Sequence, residues 1–167
     1  MDSDFDLEIS HLASILFLME ERHKPDSYWK DYIGTFPEEF SSYPTFFTDE
    51  ELALLQGSVH QQRYERWTQK KIEYYDAIVE KIPDFGNLHT LEEFICSLHG
   101  IYSRIFGMDR DGEEFNTNTP IGDIFNHDGV YSAATWEWRN DENGKGGQAF
   151  YAINDIAKGD PVNISYG

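Results

Sequence analysis

The sequence predicts an α+β fold in which helices precede strands. Three observations carry this. Apolar residues recur at helical spacing through residues 5–106. Two capping boxes, Thr48-x-x-Glu51 and Thr90-x-x-Glu93, mark helix starts within that stretch. After Pro120 the pattern changes to two-residue alternation, with Ala134, Trp136 and Trp138 on one side of a segment at 131–139. With 40% hydrophobic and 16% aromatic residues, a chain of 167 residues has the apolar surface for one folded domain.

Residues 5–22 read as an amphipathic helix. Leu12, Ile15, Leu16 and Met19 form its stripe, and Lys24-Pro25 ends it because the residue before proline avoids the α region. Ser27 is placed to cap a short helix carrying Tyr28, Trp29, Tyr32 and Ile33, closed by Gly34 and Phe36-Pro37. Thr48 opens a short helix with Leu52 and Leu55 that Gly57 stops. Ser58 starts a long helix reaching Ile82, which Pro83 ends. Thr90 opens the clearest helix, whose stripe Leu91, Phe94, Ile95, Leu98, Tyr102 and Ile105 runs to a stop at Gly107. Residues 107–119 read as a charged and then Asn/Thr-rich loop. Residues 131–139 and 148–153 pair as a hairpin across a turn-rich stretch, and 162–166 form a last short strand.

Composition excludes several function classes. Net charge is −18, and no basic stripe exists for a phosphate backbone, so direct nucleic-acid binding is not expected. Such acidity steers basic protein partners, and it equally serves solubility. No run of eighteen apolar residues is present, so no membrane span is expected. The acidic N-terminus lacks the basic segment of a signal peptide. The single cysteine, Cys96, rules out an internal disulfide, points to the cytoplasm or nucleus, and reads as a small buried residue.

The six histidines, at 11, 23, 60, 89, 99 and 127, have no zinc spacing, so no metal centre is expected. Asp109-x-Asp111 and Asp141-x-Asn143-x-Lys145-Gly146 lack the ligand set of calcium loops and read as solvated turns. No nucleophile elbow, phosphate loop or dinucleotide fingerprint occurs. Nothing in the sequence signals an oligomeric state.

Two pieces near the C-terminus stand apart. One is Asp123-Ile124-Phe125-Asn126-His127. The other is Asp155-Ile156-Ala157-Lys158-Gly159-Asp160-Pro161-Val162-Asn163-Ile164-Ser165-Tyr166. In this order and spacing they resemble the C-terminal half of a SET domain, the protein methyltransferase fold. Ser103-Arg104-Ile105-Phe106 resembles the RuBisCO-methyltransferase-like subgroup, which carries a helical insert in its SET domain. So do Leu18-Met19-Glu20-Glu21-Arg22, Ser27-Tyr28-Trp29, Glu50-Glu51-Leu52 and Leu55-Gln56-Gly57. The resemblance covers nearly the whole chain, more loosely before residue 90. Gly122 and Pro161 depart from the usual pattern, and Pro161 suits an edge position.

The resemblance implies a helical SET insert at 5–106 and C-terminal SET motifs at 120–167. The terminal strand would pass under the Asn-His loop as a pseudoknot, bringing Tyr166 close to Asn126. The family's N-terminal SET strands, with their Gly-x-Gly turn, have no counterpart in this sequence. Family members also continue past the tyrosine into residues that close the lysine channel. The expectation is therefore a piece of a larger protein or a degenerate gene product.

The activity implied is S-adenosylmethionine-dependent lysine N-methylation of a protein substrate. Protein-histidine methylation and a non-catalytic interaction module are the alternatives. By resemblance, the Asn126 side chain would hold the methionine portion of the cofactor and the His127 backbone its adenine. Asp123 would support that loop or touch the cofactor. Arg104, with Ser103 beside it, would meet the cofactor carboxylate, which suits a fork-shaped donor. Tyr166 would be the catalytic residue, where amine meets methyl. The transfer needs alignment in a dry channel and no metal, and a phenol can orient an amine while its ring excludes water. Each residue also has a plainer role open to it: Tyr166 as a packed aromatic, Asn126 as a turn cap, Asp123 as a backbone acceptor, Arg104 at a helix end.

Overall fold

The computed structural model describes residues 7–110 and 112–166. Residues 5 and 6 of the expected first helix, Asp111 of the first acidic loop, and Gly167 lie outside the described residues. The architecture is α+β, in two compact units, Met1–Ser103 and Arg104–Gly167.

The first unit is helical. It contains α1 (Ile9–Arg22), α2 (Lys30–Ile33), a 3-10 turn (Pro44–Phe46), α3 (Asp49–Ala53), α4 (Val59–Lys81), α5 (Pro83–Leu88) and α6 (Leu91–Tyr102). Both capping boxes are formed: the Thr48 and Thr90 hydroxyls accept from the Glu51 and Glu93 N–H groups, and each glutamate reaches back to its threonine's N–H. Ser58 caps α4 by accepting from the N–H of Gln61. The core forms where α1 meets α6. Ile15, Leu18 and Met19 are buried with Phe94, Ile95, Leu98 and Ile101, and Phe94 and Ile15 have no exposed surface. Burial of each such side chain contributes about 1.5–3 kcal/mol.

Besides a later start of α1, at Ile9, and an earlier end of α3, at Ala53, three helix boundaries differ from expectation. The N-cap of α2 is Trp29. Ser27 instead accepts from the Trp29 N–H at 3.0 Å and donates to Glu21 at 2.6 Å, so its hydroxyl serves a local turn. Pro83 ends α4 and also opens α5 at its first position, where a missing N–H costs nothing. The third difference matters most for the site. Helix α6 ends at Tyr102, and Ile105 and Gly107 belong to a strand.

Histidines distant in sequence gather in this unit. His23, His89 and Glu93 bring ligand atoms within 4.8 Å of one another. Carboxylates answer both imidazoles, with His23 Nε2 3.4 Å from Glu93 and His89 Nε2 3.2 Å from Glu20. No spacing along the chain signals this cluster.

The second unit is built from two antiparallel hairpins. Strands β1 (Ile105–Arg110) and β2 (Glu113–Asn118) pair first, and β3 (Ala134–Asn140) and β4 (Gly146–Ala152) pair separately. The expected loop at 107–119 is therefore a hairpin. Its signals are the Asp111-Gly112 dipeptide, with Gly112 at φ +86°, and the alternation that buries Phe106 and Met108. Gly107 and Asp109 hold the outward positions, so the alternation rests on few apolar residues. In the second hairpin Trp136 faces Phe150 and Trp138 faces Gln148. Its connection is the solvated turn expected: Asp141 Oδ1 accepts from the N–H groups of Asn143 and Lys145. The two hairpins meet through Phe106, whose ring lies edge-on to Trp136 and Phe150 at 5.3 and 5.9 Å.

The expected strand at 162–166 reduces to one parallel bridge, His127 to Ile164. Pro161 has no N–H to offer a ladder, and the Tyr166 N–H is taken by an imidazole rather than by backbone.

Candidate functional site

The site begins with a sharp turn. Pro120 leads into Ile121, which lies at φ 74°, a conformation a β-branched residue rarely adopts. Gly122 follows, buried against the Phe150 ring so closely that a Cβ would sit 2.4 Å from Cζ. This close approach turns the chain inward and buries Asp123, whose N–H donates to the Thr119 carbonyl at 2.9 Å. Arg104, just before β1, meets it: Nη1 is 3.7 Å from Oδ1 of Asp123, with the carboxylate fully and the guanidinium largely enclosed. The expected pairing of Arg104 with a carboxylate thus has an internal counterpart.

Beyond this turn the chain extends through Phe125, Asn126 and His127. The terminal segment lies parallel beside it. The Ile164 N–H donates to the Asn126 carbonyl and the Asp128 N–H donates to the Ile164 carbonyl, each at 3.0 Å. In a parallel bridge of this pattern, the N–H and C=O of His127 itself point to the opposite edge. Ile164 has no exposed surface and packs with Phe106, Met108 and Ala134. A buried aliphatic side chain therefore fixes the register of the two motifs.

Tyr166 is tied to the same segment twice. Its N–H donates to Nδ1 of His127 at 3.0 Å, and its hydroxyl donates to the Phe125 carbonyl at 2.7 Å. Its ring lies 5.0 Å from the His127 ring. Because Nδ1 accepts, the imidazole there is unprotonated at that nitrogen. Because the phenol proton is used, the phenol oxygen keeps lone pairs for another donor. Asn126, His127 and Tyr166 are all exposed. Asn126 lines a concavity of about 320 Å³ with Ile121, Ile124, Phe125, Pro161, Val162 and Asn163.

The structure thus brings Asn126, His127 and Tyr166 together across thirty-nine positions, the separation of the Tyr166–His127 bond. It also joins Arg104 to Asp123. Ser103 serves its own helix: it is the C-cap of α6, and its hydroxyl donates to the Gly100 carbonyl at 2.8 Å.

Two residues of this arrangement escaped the sequence reading. Asp128 holds the following turn by accepting from the N–H groups of Tyr131 and Val130, bonds that keep its carboxyl below the usual range. Asn163 accepts at its carbonyl from Ala133 and Ala134, tying β3 to the terminal segment. The Asp128-Gly129 dipeptide was a usable turn signal for the first. Nothing local marks the second.

No protein-family model matches the chain. Among curated proteins it is similar to the ribulose-1,5-bisphosphate carboxylase/oxygenase large subunit N-methyltransferase, chloroplastic, of Pisum sativum. The two are 34% identical over 122 residues, which is 70% of this chain and 24% of that protein. It is also similar to the actin-histidine N-methyltransferase of Mus musculus, 24% identical over 170 residues, covering 95% of this chain and 27% of that one. Among solved structures it resembles the SET domain of LSMT bound to lysine and AdoHcy, with a TM-score of 0.76 at 25% identity. That match covers 94% of this chain and 37% of the other. The same SET domain bound to methyllysine and AdoHcy matches with a TM-score of 0.66 at 27% identity, over 77% and 31% of the two chains. The chain spans about a quarter of the length of the curated relatives it matches.

Proposed function

From a chain that belongs to the SET-domain methyltransferases of the RuBisCO-methyltransferase-like kind, we propose a part in S-adenosylmethionine-dependent N-methylation of a protein side chain. The observation that carries this reading is the junction of Asn126-His127 with Ile164–Tyr166, built by two backbone bonds and by both polar groups of Tyr166.

The residues present fit the cofactor. Asn126 lines a concavity with largely apolar walls, and its amide is suited to the methionine portion. The N–H and C=O of His127, directed away from Ile164, are a donor and acceptor pair for adenine. Asp123 holds Arg104 in place, and Arg104 is the cation for the cofactor carboxylate. When bound, S-adenosylmethionine supplies a methyl group on an electron-poor sulfonium. The chain's own residues then have to align a neutral nitrogen with it. Tyr166 is suited to that. Its proton is committed to Phe125, so its oxygen accepts from the incoming N–H and turns the nitrogen lone pair toward the methyl. Anchoring at both ends means little reorganisation is needed.

The finer reading is a lysine substrate, supported by the similar SET domain that holds lysine. Histidine is the second reading, supported by the relatives that act on an actin histidine. Calorimetric titration with S-adenosylmethionine tests the cofactor assignment. Heat of binding is expected from the unaltered chain, with at least about tenfold weaker binding by Asn126→Ala. Absence of binding, or an Asn126→Ala chain that binds equally well, overturns it.

A further inference from the structure

The helical unit encloses a second concave site, of about 360 Å³, formed entirely by its own residues. Its walls include the rings of Tyr43, Tyr64, Trp67 and Tyr102, and its cations are Arg63 and Lys71. The size is within the range of small-molecule sites. No part of the methyl-transfer reading uses it.

Lys71 is the anomaly. It is 4% exposed, on a helix that otherwise carries its charges outward. Its ammonium donates to the Thr45 hydroxyl at 2.9 Å and to Nε2 of His99 at 3.1 Å. Both acceptors are neutral groups. Burial, and the nearby Lys71 charge, push His99 down to about 4, while burial brings Lys71 down to about 8. At neutral pH the pair is therefore an ammonium beside an uncharged imidazole.

A buried ammonium is ordinarily met by a carboxylate, since hydrogen bonds to neutral groups do not balance its charge. This chain has 31 Asp and Glu residues. Yet among the described residues none lines the cavity, and the hydrogen bonds of Lys71 go to Thr45 and His99. An ammonium has three N–H donors, and described residues take two of them. On the same helix the Arg63 guanidinium lies over the Trp67 ring at 5.5 Å, so aromatic wall and positive charge are combined. In a molecule of net charge −18, the two cations at this cavity form a local positive patch.

We propose that this cavity binds a small aryl carboxylate, its carboxylate on the third N–H of Lys71 and its ring among Tyr43, Tyr64 and Trp67. The carboxylate supplies the counter-charge that the protein withholds, and the ring occupies the apolar space.

The test uses the full chain and two probes, phenylacetate and its uncharged isostere phenylacetamide, titrated by calorimetry near pH 7. Phenylacetate is expected to bind at least about tenfold more tightly than the amide. Lys71→Met, which keeps the stem and removes the charge, is expected to abolish that preference. Equal binding of acid and amide overturns the proposal, as does a preference that survives Lys71→Met, and so does failure of phenylacetate to bind at millimolar concentration. If Lys71→Met does not fold, the acid–amide comparison on the unaltered chain decides.

Discussion

Replacing His99 with glutamine removes a buried imidazole that resists protonation, and with it the pH dependence that this group gives to stability. In the folded chain His99 titrates at about 4, against an ordinary value of 6.5. Burial among Phe40, Tyr43 and Phe46 is the larger cause, and the Lys71 ammonium is the second. Between pH 6.5 and 4 the unfolded chain takes up a proton that the folded chain refuses. Stability tied to His99 is therefore complete above pH 6.5 and is lost as pH falls toward 4. A displacement of this size corresponds to roughly 3 kcal/mol. Glutamine can still accept from Lys71 but does not titrate. Urea unfolding at pH 7, 6, 5 and 4, followed by circular dichroism at 222 nm, reads the helical unit, because α1–α6 all lie within it. The unaltered chain is expected to lose roughly 3 kcal/mol more than His99→Gln over that range. Parallel dependence of the two chains on pH would mean that the fold does not hold His99 unprotonated, since carboxylates common to both cancel in the difference.

Three further outcomes concern the strand unit. Ile164→Ala removes a side chain with no exposed surface that fixes the junction of the two motifs. It is expected to cost about 2–5 kcal/mol in denaturant unfolding read by tryptophan fluorescence, and to weaken cofactor heat in parallel. Gly122→Ala forces a methyl against the Phe150 ring and is expected to cost about 1–3 kcal/mol; an unchanged unfolding midpoint would mean that the ring moves aside freely. Asp123→Asn leaves the Arg104 charge enclosed without its carboxylate. A loss of about 3 kcal/mol is expected by the same fluorescence assay, and a neutral result would show that the 3.7 Å pair is not holding the turn.

Much of the helical unit was legible because its signals are local. A Thr-x-x-Glu box closes within one helical turn, so Thr48 and Thr90 announce α3 and α6 whatever surrounds them. Ser27 misled because the same hydroxyl chemistry serves a turn as readily as a cap, and only the position of Glu21 decided between them. The first hairpin was hidden because its apolar residues are few: Phe106 and Met108 alternate with a glycine and an aspartate, and the helical stripe of α6 runs straight into them. A periodic pattern extends on paper until something competes with it, and here the competitor was pairing with β2.

The sequence by itself determined the α+β order, the helix starts, the Asp141 turn and the two C-terminal motifs, because each is encoded within a few residues of itself. The tertiary structure alone decided what those motifs do to one another. Ile164 is an ordinary aliphatic residue until a hydrophobic core buries it, and that burial sets His127 against Tyr166 and commits the phenol proton to Phe125. Lys71 is likewise one cation among 13 until packing encloses it beside a neutral His99. Charge state, counter-charge and register depend on which surfaces lose water, and desolvation is a property of the folded whole.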